Sequence, residues 1–586
     1  MIQKKFRTKS KLRFNRLTFL TLMGFILTLF IIFRLFVLQI LMHEYYETET
    51  RKLHKFSKEL LPRRGEIYAQ GSKFENSKKN SEALYPIATN LDLNLLFAIP
   101  KEIEAPEEVV EKIAPILKID KTKLLQRLSK KNDLYEPLKH YLTDKEVKKI
   151  KDLKIKGLAF TSENKRFYPE KNLFGHLLGF VGHKGEERVG QYGLEESYEE
   201  ILAGKKGFLK GERGVFGQWI AVAGQKKKEA QHGADLILTL DYTVQFVACK
   251  ELQTAVERFG AEGGSVVVMD PKTGRILASC SFPDFDPNEY NQIRDFARFL
   301  DPTISRAYEP GSIFKIITMA AALDAKVLTS KTTYHDKGFV KIGKYSIENF
   351  DKKARGEQTM IEVLEKSLNT GAIFVAEKLG FEIFRRYVQS FGFGEIIGIE
   401  LPGEIKGDIS SLEEKRPIHL ATASFGQGIS VTPLQMITAF AAIVNEGKLM
   451  KPYLIEKIVW PDGTTEERKP EIKREVISPS TAAVLRAMLV SVIENGHGKR
   501  ARIPGYFIGG KTGTAQVPKR DQRGYDPDKA VGSFIGFGPV DDPRFVILVK
   551  IDNPKGVVWA ESLAAPTFGK IAKFLLDYYQ IPPERE

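Results

Sequence analysis

Apolar residues follow three different patterns along this chain. Near the amino-terminal end, LTFLTLMGFILTLFIIF (17–33) carries no charge on any face. Seventeen residues rise about 25 Å as a helix, close to the hydrocarbon thickness of a bilayer. After Arg34, the apolar LFVLQILM completes a membrane-spanning helix over 17–42. A core helix of a soluble domain keeps a polar stripe over such a length, and this one has none. From 43 to 235 the pattern is mixed. PEEVVEKIAPILKIDKTKLLQRL (106–128) predicts amphipathic helices, and glycine-punctuated HLLGFVGHKG (176–185) and KKGFLKGERGVFGQ (205–218) predict short strands. The run Lys226-Lys227-Lys228 beside HGAD predicts a solvated turn.

At about 236 the texture changes again. LILTLD predicts a strand and VQFVACKELQTAVERF an amphipathic helix. GGSVVVMD and RILASC predict two strands joined by a PKTG turn. Glycine-capped helices follow, then strands in GYFIGGKTGTAQ, AVGSFIGFG and RFVILVKIDN, and a closing helix in TFGKIAKFLLDYY. Strands at both ends of a segment with helices between them predict an α+β domain with a helical insertion. The expected layout is a basic tail (1–16), an anchor helix (17–42), a non-catalytic part (43–235) and a large domain (236–586).

Composition narrows the function classes. The 586 residues are 42% hydrophobic and 28% charged, with a net charge of +15 and two cysteines. This excludes a disordered chain, a polytopic membrane protein and a disulfide scaffold. The nine histidines form no metal-ligand spacing, so no metal is expected. The excess charge is unevenly spread: +7 in residues 1–16, +1 in the anchor, +6 in 43–235 and +1 in 236–586. Its densest part is therefore a topology signal, not a nucleic-acid surface. Lys4, Lys5, Arg7, Lys9, Lys11, Arg13 and Arg16 predict a cytoplasmic amino terminus, with Arg34 snorkelling to the outer interface. HEYYETETRKL offers no small-residue cleavage site, so the anchor is expected to stay.

The decisive chemistry lies in YEPGSIFKIITMAAAL (308–323). Pro310-Gly311 breaks the chain, a helix is expected to open at Ser312, and Lys315 stands one turn on, on the same face. A serine there has backbone N–H groups nearby for an oxyanion. Its hydroxyl needs a base, and a lysine serves only when burial or a neighbouring cation makes it neutral. Ser367-Leu368-Asn369 follows 55 residues after Ser312, and Lys511-Thr512-Gly513 lies 144 beyond Ser367. In this order, Ser367 can relay a proton, Asn369 can donate to a substrate amide, and Lys511 supplies positive charge. Thr512 and Thr514 can hold a carboxylate, beside an oxyanion hole from the N–H groups of Ser312 and Thr514. Two matches to single motifs are decoys: Ser162–Lys165 in a polar stretch, and Lys272-Thr273-Gly274 in a hairpin turn.

Three motifs in this order match the serine–lysine acyltransferases, and the chain resembles class B penicillin-binding proteins. PRRGEIY (62–68), RFYP (166–169) and GLEESYEEILAG (193–204) resemble that family's pedestal motifs. EPGSIFK, SFGQGISVTPLQM (424–436), GGKTGTAQ and SFIGFGPVDDPRFVILVKIDNP resemble its catalytic ones. EPGSIFK, FGFGEIIGIELPGE (391–404) and IPGYFIGGKTGTAQ are more similar to the cell-division (FtsI) type. The resemblance implies an antiparallel sheet flanked by helices with a helical subdomain, an elongated pedestal and a single membrane helix. It implies D,D-transpeptidation of peptidoglycan stem peptides through Ser312, acylation by β-lactam antibiotics and no cofactor. Its expected partners are a polytopic SEDS glycosyltransferase of the FtsW type and other divisome membrane proteins. The catalytic domain is expected on the periplasmic face of the cytoplasmic membrane. The chain departs from the pattern at Thr303, where asparagine is common, and at Glu561-Ser562, where glycines are.

The alternatives are an elongation-type class B enzyme, a β-lactamase and a non-enzymatic β-lactam sensor or divisome scaffold. The anchor and pedestal argue against a β-lactamase, and the complete motifs against a scaffold. Cys249 in an apolar helix and Cys280 at a strand end are expected to be free buried thiols. His419 is expected to be structural, because lysine fills the base role.

Overall fold

A computed structural model describes residues 16–46, 55–71, 83–130, 133–185, 187–212, 226–519, 524–556 and 560–585. The chain forms two compact units: Met1–Pro62 with Lys205–Gln231, and Arg63–Gly204 with His232–Glu586. In the first, the helix Arg16–Phe36 runs into a wider turn, Val37–Leu41, and none of its side chains is buried. Together they form a 26-residue stretch, Arg16–Leu41, long and apolar enough to cross a membrane. The basic residues Lys4–Arg13 lie outside the described residues. The same unit holds an antiparallel sheet in the order Lys55–Leu60, Gly207–Glu212, Lys226–Lys228. The three lysines expected in a turn thus form the last strand of that sheet, and Lys227 and Lys228 are exposed there, where charge suits an edge. Residues 213–218 of the expected strand-like run lie outside the described residues.

The second unit carries the chemistry on a five-stranded sheet. Helix α1 (Tyr242–Arg258) starts at Asp241, whose carboxylate accepts from the N–H groups of Thr243 and Val244. Strands β1 (Gly263–Met269) and β2 (Ile276–Phe282) form a hairpin. Helices α2 (Lys315–Asp324), α3 (Asn369–Leu379), α4 (Pro433–Val444) and α5 (Pro479–Glu494) follow. Strands β3 (Gly509–Pro518), β4 (Tyr525–Gly538) and β5 (Phe545–Asp552) and helix α6 (Ala560–Tyr578) close the fold. The sheet order is β2-β1-β5-β4-β3, antiparallel throughout.

Two cores explain why its central strands are apolar at nearly every position. Val266, Val268, Phe534, Ile547 and Val549 pack under α1 and α6. Val267, Met269, Ile535, Val546 and Leu548 face the core that includes α2 and α4. Strand side chains alternate between faces, so a sheet covered on both sides must be apolar on both. Helix α4 shows the same logic: all twelve residues are buried, and its start is set by a Thr432–Gln435 capping box with Pro433 in the first turn.

Two expectations are corrected here. Cys249 and Cys280 are joined in a disulfide, with Cα atoms 5.4 Å apart. Helix α1 packs on β2, which brings together two thiols that each look like apolar filler. Residues 176–178 belong to a short helix, Gly175–Leu178, and only Phe180–Lys184 is strand. The 235/236 boundary falls in the strand Asp235–Asp241, which pairs with Ile67–Gln70 and with Ile455–Val459 in one larger sheet.

Three amino-terminal motifs meet at one carboxylate. Glu195 is fully buried and accepts from Arg64 Nε and Arg166 Nε, each at 2.6 Å, and from the Tyr168 hydroxyl at 3.2 Å. Arg166 also donates to the carbonyl of Gly65 at 2.7 Å. Burial alone would raise the Glu195 pKa, but the two guanidinium groups outweigh it and hold the carboxyl below its ordinary range. Replacing Glu195 by Gln strands the buried Arg166 and leaves Arg64 with Glu199 alone, and the expected loss is about 3–5 kcal/mol in urea denaturation. A folded-state pKa below the unfolded value means this stabilisation is complete at neutral pH and is lost as pH falls through the acidic range. The wild-type and variant curves should therefore converge in acid.

Candidate active site

Ser312 lies in a 3₁₀ turn, Gly311–Phe314, that leads into α2. The helix expected to open at Ser312 thus begins at Lys315, with a tighter turn before it. The turn is pressed against β3. Gly311 has φ +58°, and a Cβ there would come within 2.7 Å of the Thr514 carbonyl oxygen. A Cβ at Gly513 would meet Ser533 Oγ at 2.5 Å and Ile313 at 2.9 Å. Only glycine permits this approach at both places, and it sets the backbone of the serine turn alongside Thr514.

The next turn of the helix aims Lys315 inward. Its side chain is 1% exposed. Nζ donates to the Ser367 carbonyl at 2.6 Å and to Asn369 Oδ1 at 2.8 Å, and lies 3.3 Å from Ser367 Oγ. From the other side Lys511 on β3, with no exposure, donates to the same Ser367 Oγ at 2.9 Å and to the Thr512 carbonyl at 3.1 Å. Ser367 is therefore held between two amino groups. Its backbone adopts φ +53°, an unusual conformation for a side-chain-bearing residue, immediately before α3.

Burial lowers the pKa of both lysines. Lys511 is pushed down to about 7 by burial. Lys315 is driven well below its ordinary value, by burial first and by the facing Lys511 second. The facing Lys511 adds to burial at Lys315, and both favour its neutral, proton-accepting form. Such an arrangement can abstract a hydroxyl proton and pass it along a short chain of heteroatoms.

A cavity of about 300 Å³ opens over these groups. Its lining includes Ser312, Ser367, Asn369, Thr512 and Thr514, all anticipated from the sequence, together with Gln427. His497 and Glu561 also line it. Behind it lies a polar network that the motifs do not reveal. Asn349 Oδ1 accepts from the Asn369 N–H at 3.0 Å, and Asn349 Nδ2 donates to Asp336 at 3.0 and 3.1 Å. Asp336 Oδ1 also accepts from the Thr370 hydroxyl at 2.8 Å. Asp336, Asn349 and Thr370 are 1%, 2% and 3% exposed, so this network fixes the start of α3 and with it Asn369. The only sequence hint was polar residues in strand-like surroundings.

The decoys sit elsewhere. Ser162–Lys165 lies in the strand Leu158–Phe167, and Lys272–Gly274 in the turn between β1 and β2. His419 Nδ1 is 3.0 Å from the Ser411 carbonyl, in keeping with a structural place.

A family model for the penicillin-binding protein transpeptidase domain matches residues 264–573, and one for the penicillin-binding protein dimerisation domain matches residues 59–238. Stage V sporulation protein D of Bacillus subtilis (strain 168) is 34% identical over 577 residues, covering 97% of this chain and 87% of that protein. The probable peptidoglycan D,D-transpeptidase PenA of Neisseria gonorrhoeae is 31% identical over 504 residues, 85% of this chain and 84% of its own. The crystal structure of penicillin binding protein 3 from Mycobacterium tuberculosis, complexed with aztreonam, matches with a TM-score of 0.68 at 25% identity, covering 90% of this chain and 98% of that one.

Replacing Lys511 by Met removes the cation facing Lys315. The pKa of Lys315 then rises, and the alkaline-rising limb of the acylation rate moves to higher pH. Stopped-flow acylation by a chromogenic β-lactam across pH reads this directly. An unmoved limb would mean that burial alone neutralises Lys315.

Proposed function

The chain belongs to the penicillin-binding protein family, with both its transpeptidase and its dimerisation domains, and on that premise we propose that it cross-links peptidoglycan stem peptides through an acyl-enzyme on Ser312. The observation that carries this reading is Ser367 Oγ held between Lys315 and Lys511, with Ser367 and Ser312 lining one cavity. Neutral Lys315 takes the Ser312 proton as Oγ attacks the carbonyl of the penultimate D-alanine. The oxyanion rests between the N–H groups of Ser312 and Thr514. The proton passes through Ser367 to the departing amine, and the terminal D-alanine leaves. An amine of a neighbouring stem peptide then attacks the ester, the C–O bond breaks, and Ser312 regains its proton.

The remaining residues fit the extended donor. Asn369 gives one amide hydrogen to the Glu348 carbonyl at 2.9 Å and keeps its second for a substrate carbonyl. Thr512 and Thr514 hold the terminal carboxylate, with Lys511 behind them, and the edge of β3 pairs with the peptide backbone. Strand β3 is terminal in its sheet order, which supports that pairing. β-Lactams enter as mimics of the donor, as the aztreonam complex of the mycobacterial protein suggests for this site.

The placement in the cell is part of the same proposal. The helix Arg16–Leu41 anchors the chain with its amino terminus in the cytoplasm, residues 43–235 serve as a pedestal, and 236–586 act outside the membrane. A polytopic SEDS polymerase of the FtsW type supplies the glycan strands, and other divisome proteins recruit the pair to the septum. A second reading, a role in spore formation, is favoured by the sporulation relative that covers 97% of this chain.

Three measurements check the proposal. Mass spectrometry of penicillin-treated protein should find one adduct, on the peptide containing Ser312, and Ser312→Ala should abolish it; an adduct elsewhere overturns the assignment. Lys315→Met should slow acylation by about 10²–10⁴, the usual worth of a general base. A fluorescent fusion at midcell supports division, and one along the lateral wall supports elongation. A fusion confined to sporulating cells supports the second reading.

A further inference from the structure

Two ionisable side chains in the Ser312 cavity have no part in the motif set, His497 and Glu561. They arrive on separate segments: His497 follows α5, and Glu561 lies in the first turn of α6. Glu561 also falls where the chain departs from the glycines common in the family it resembles. His497 Nδ1 is 3.7 Å from Glu561 Oε2, with side chains 38% and 37% exposed. The imidazole stands edge-on to Phe350, another wall of the cavity, with ring centroids 5.7 Å apart. The preceding residue, Ala560, donates its N–H to Thr514 Oγ1 at 3.4 Å, which ties the start of α6 to the strand beside Ser312.

The charges facing the imidazole come from three directions: Lys511 on β3, Glu561 on α6 and Arg355. Burial, then Lys511, lower the His497 pKa against the opposing pull of Glu561, and Arg355 adds to the lowering. The ring is therefore neutral near pH 7, and no imidazolium cancels the Glu561 carboxylate. A negative charge in this cavity gives nothing to the donor's own carboxylate. It does favour a cation.

Resting on the acyl-enzyme reading above, we propose that Glu561, positioned by His497, forms the acceptor-amine subsite and selects a cationic amine to resolve the Ser312 ester. The leaving amine and the attacking amine use the same side of the acyl carbon, because the second half-reaction is chemically the reverse of the first. A carboxylate in that space draws in an ammonium and gives water no such advantage. The ammonium releases one proton to solvent before attack. Its nitrogen then forms the C–N bond as the C–O bond to Ser312 breaks, and a second proton passes to Ser312 Oγ.

The test partitions one acyl-enzyme between two nucleophiles. The full chain in detergent is acylated with a D-alanyl thioester donor. D-Alaninamide, largely cationic at neutral pH, and hydroxylamine, uncharged, then compete, and mass spectrometry counts the amide and hydroxamate products. Both attack the same intermediate, so their ratio is independent of how fast it forms. Glu561→Gln should lower the amide-to-hydroxamate ratio about tenfold, equivalent to about 1.4 kcal/mol, and Glu561→Asp should retain most of the wild-type preference. A change of less than about threefold in Glu561→Gln, or an equal loss in Gln and Asp variants, overturns the proposal, the latter because packing and not charge would then be responsible. Failure of the wild-type chain to form any acyl-enzyme on Ser312 would instead remove the transpeptidase reading on which this one rests.

Discussion

Two lysine amino groups buried on either side of one serine hydroxyl make the most demanding arrangement in this molecule. Desolvating an ammonium costs several kcal/mol, and placing a second one nearby adds repulsion. The structure meets that cost with hydrogen bonds: Lys315 finds the Ser367 carbonyl and Asn369 Oδ1, and Lys511 finds Ser367 Oγ and the Thr512 carbonyl. The residual penalty falls on the charged forms, so it appears as lowered basicity. The weakened basicity of Lys315 is thus a consequence of where the fold puts it.

Holding those groups together requires a frame that does not relax. Strands β4 and β5 are buried on both faces, α4 is buried along its whole length, and the serine turn is wedged against β3 through Gly311 and Gly513. Close packing transmits any shift of one element to its neighbours, so the distance from Lys511 to Ser367 depends on helices that never touch substrate. The buried Asp336–Asn349–Thr370 network does the same for the start of α3, and lets Ser367 persist in a left-handed backbone conformation. In the amino-terminal motifs the same principle recurs with Glu195, where a buried carboxylate is tolerable because two guanidinium groups converge on it.

Much of this was legible in the residues themselves. The anchor helix is a matter of length and apolarity, both local. The strands β1 to β5 follow from short strand-like runs between turn residues such as PKTG, and the closing helix from its periodicity. The three short motifs point to one site because their order, and the elements they sit on, constrain them more than any one does. Other features were misread or missed for a common reason. Cys249 and Cys280 each look like core filler, and only the packing of α1 on β2 makes them a pair. Lys226–Lys228 carries no strand signal of its own and becomes one by pairing with Phe208–Lys210. Asn349, Asp336, His497 and Glu561 belong to no local pattern.

The sequence by itself determined the chemistry available, a serine, two lysines and a set of donors, together with the membrane anchor and most of the elements. Such properties depend on residue type and on near neighbours along the chain, where helix and strand periodicity operate. Only the tertiary structure decided how far burial weakens each lysine as a base, whether the cysteines pair and which charges face the cavity. Those outcomes depend on desolvation and on distances between residues far apart in sequence, 144 positions in the case of Ser367 and Lys511. The chain order of the motifs carries no information about either.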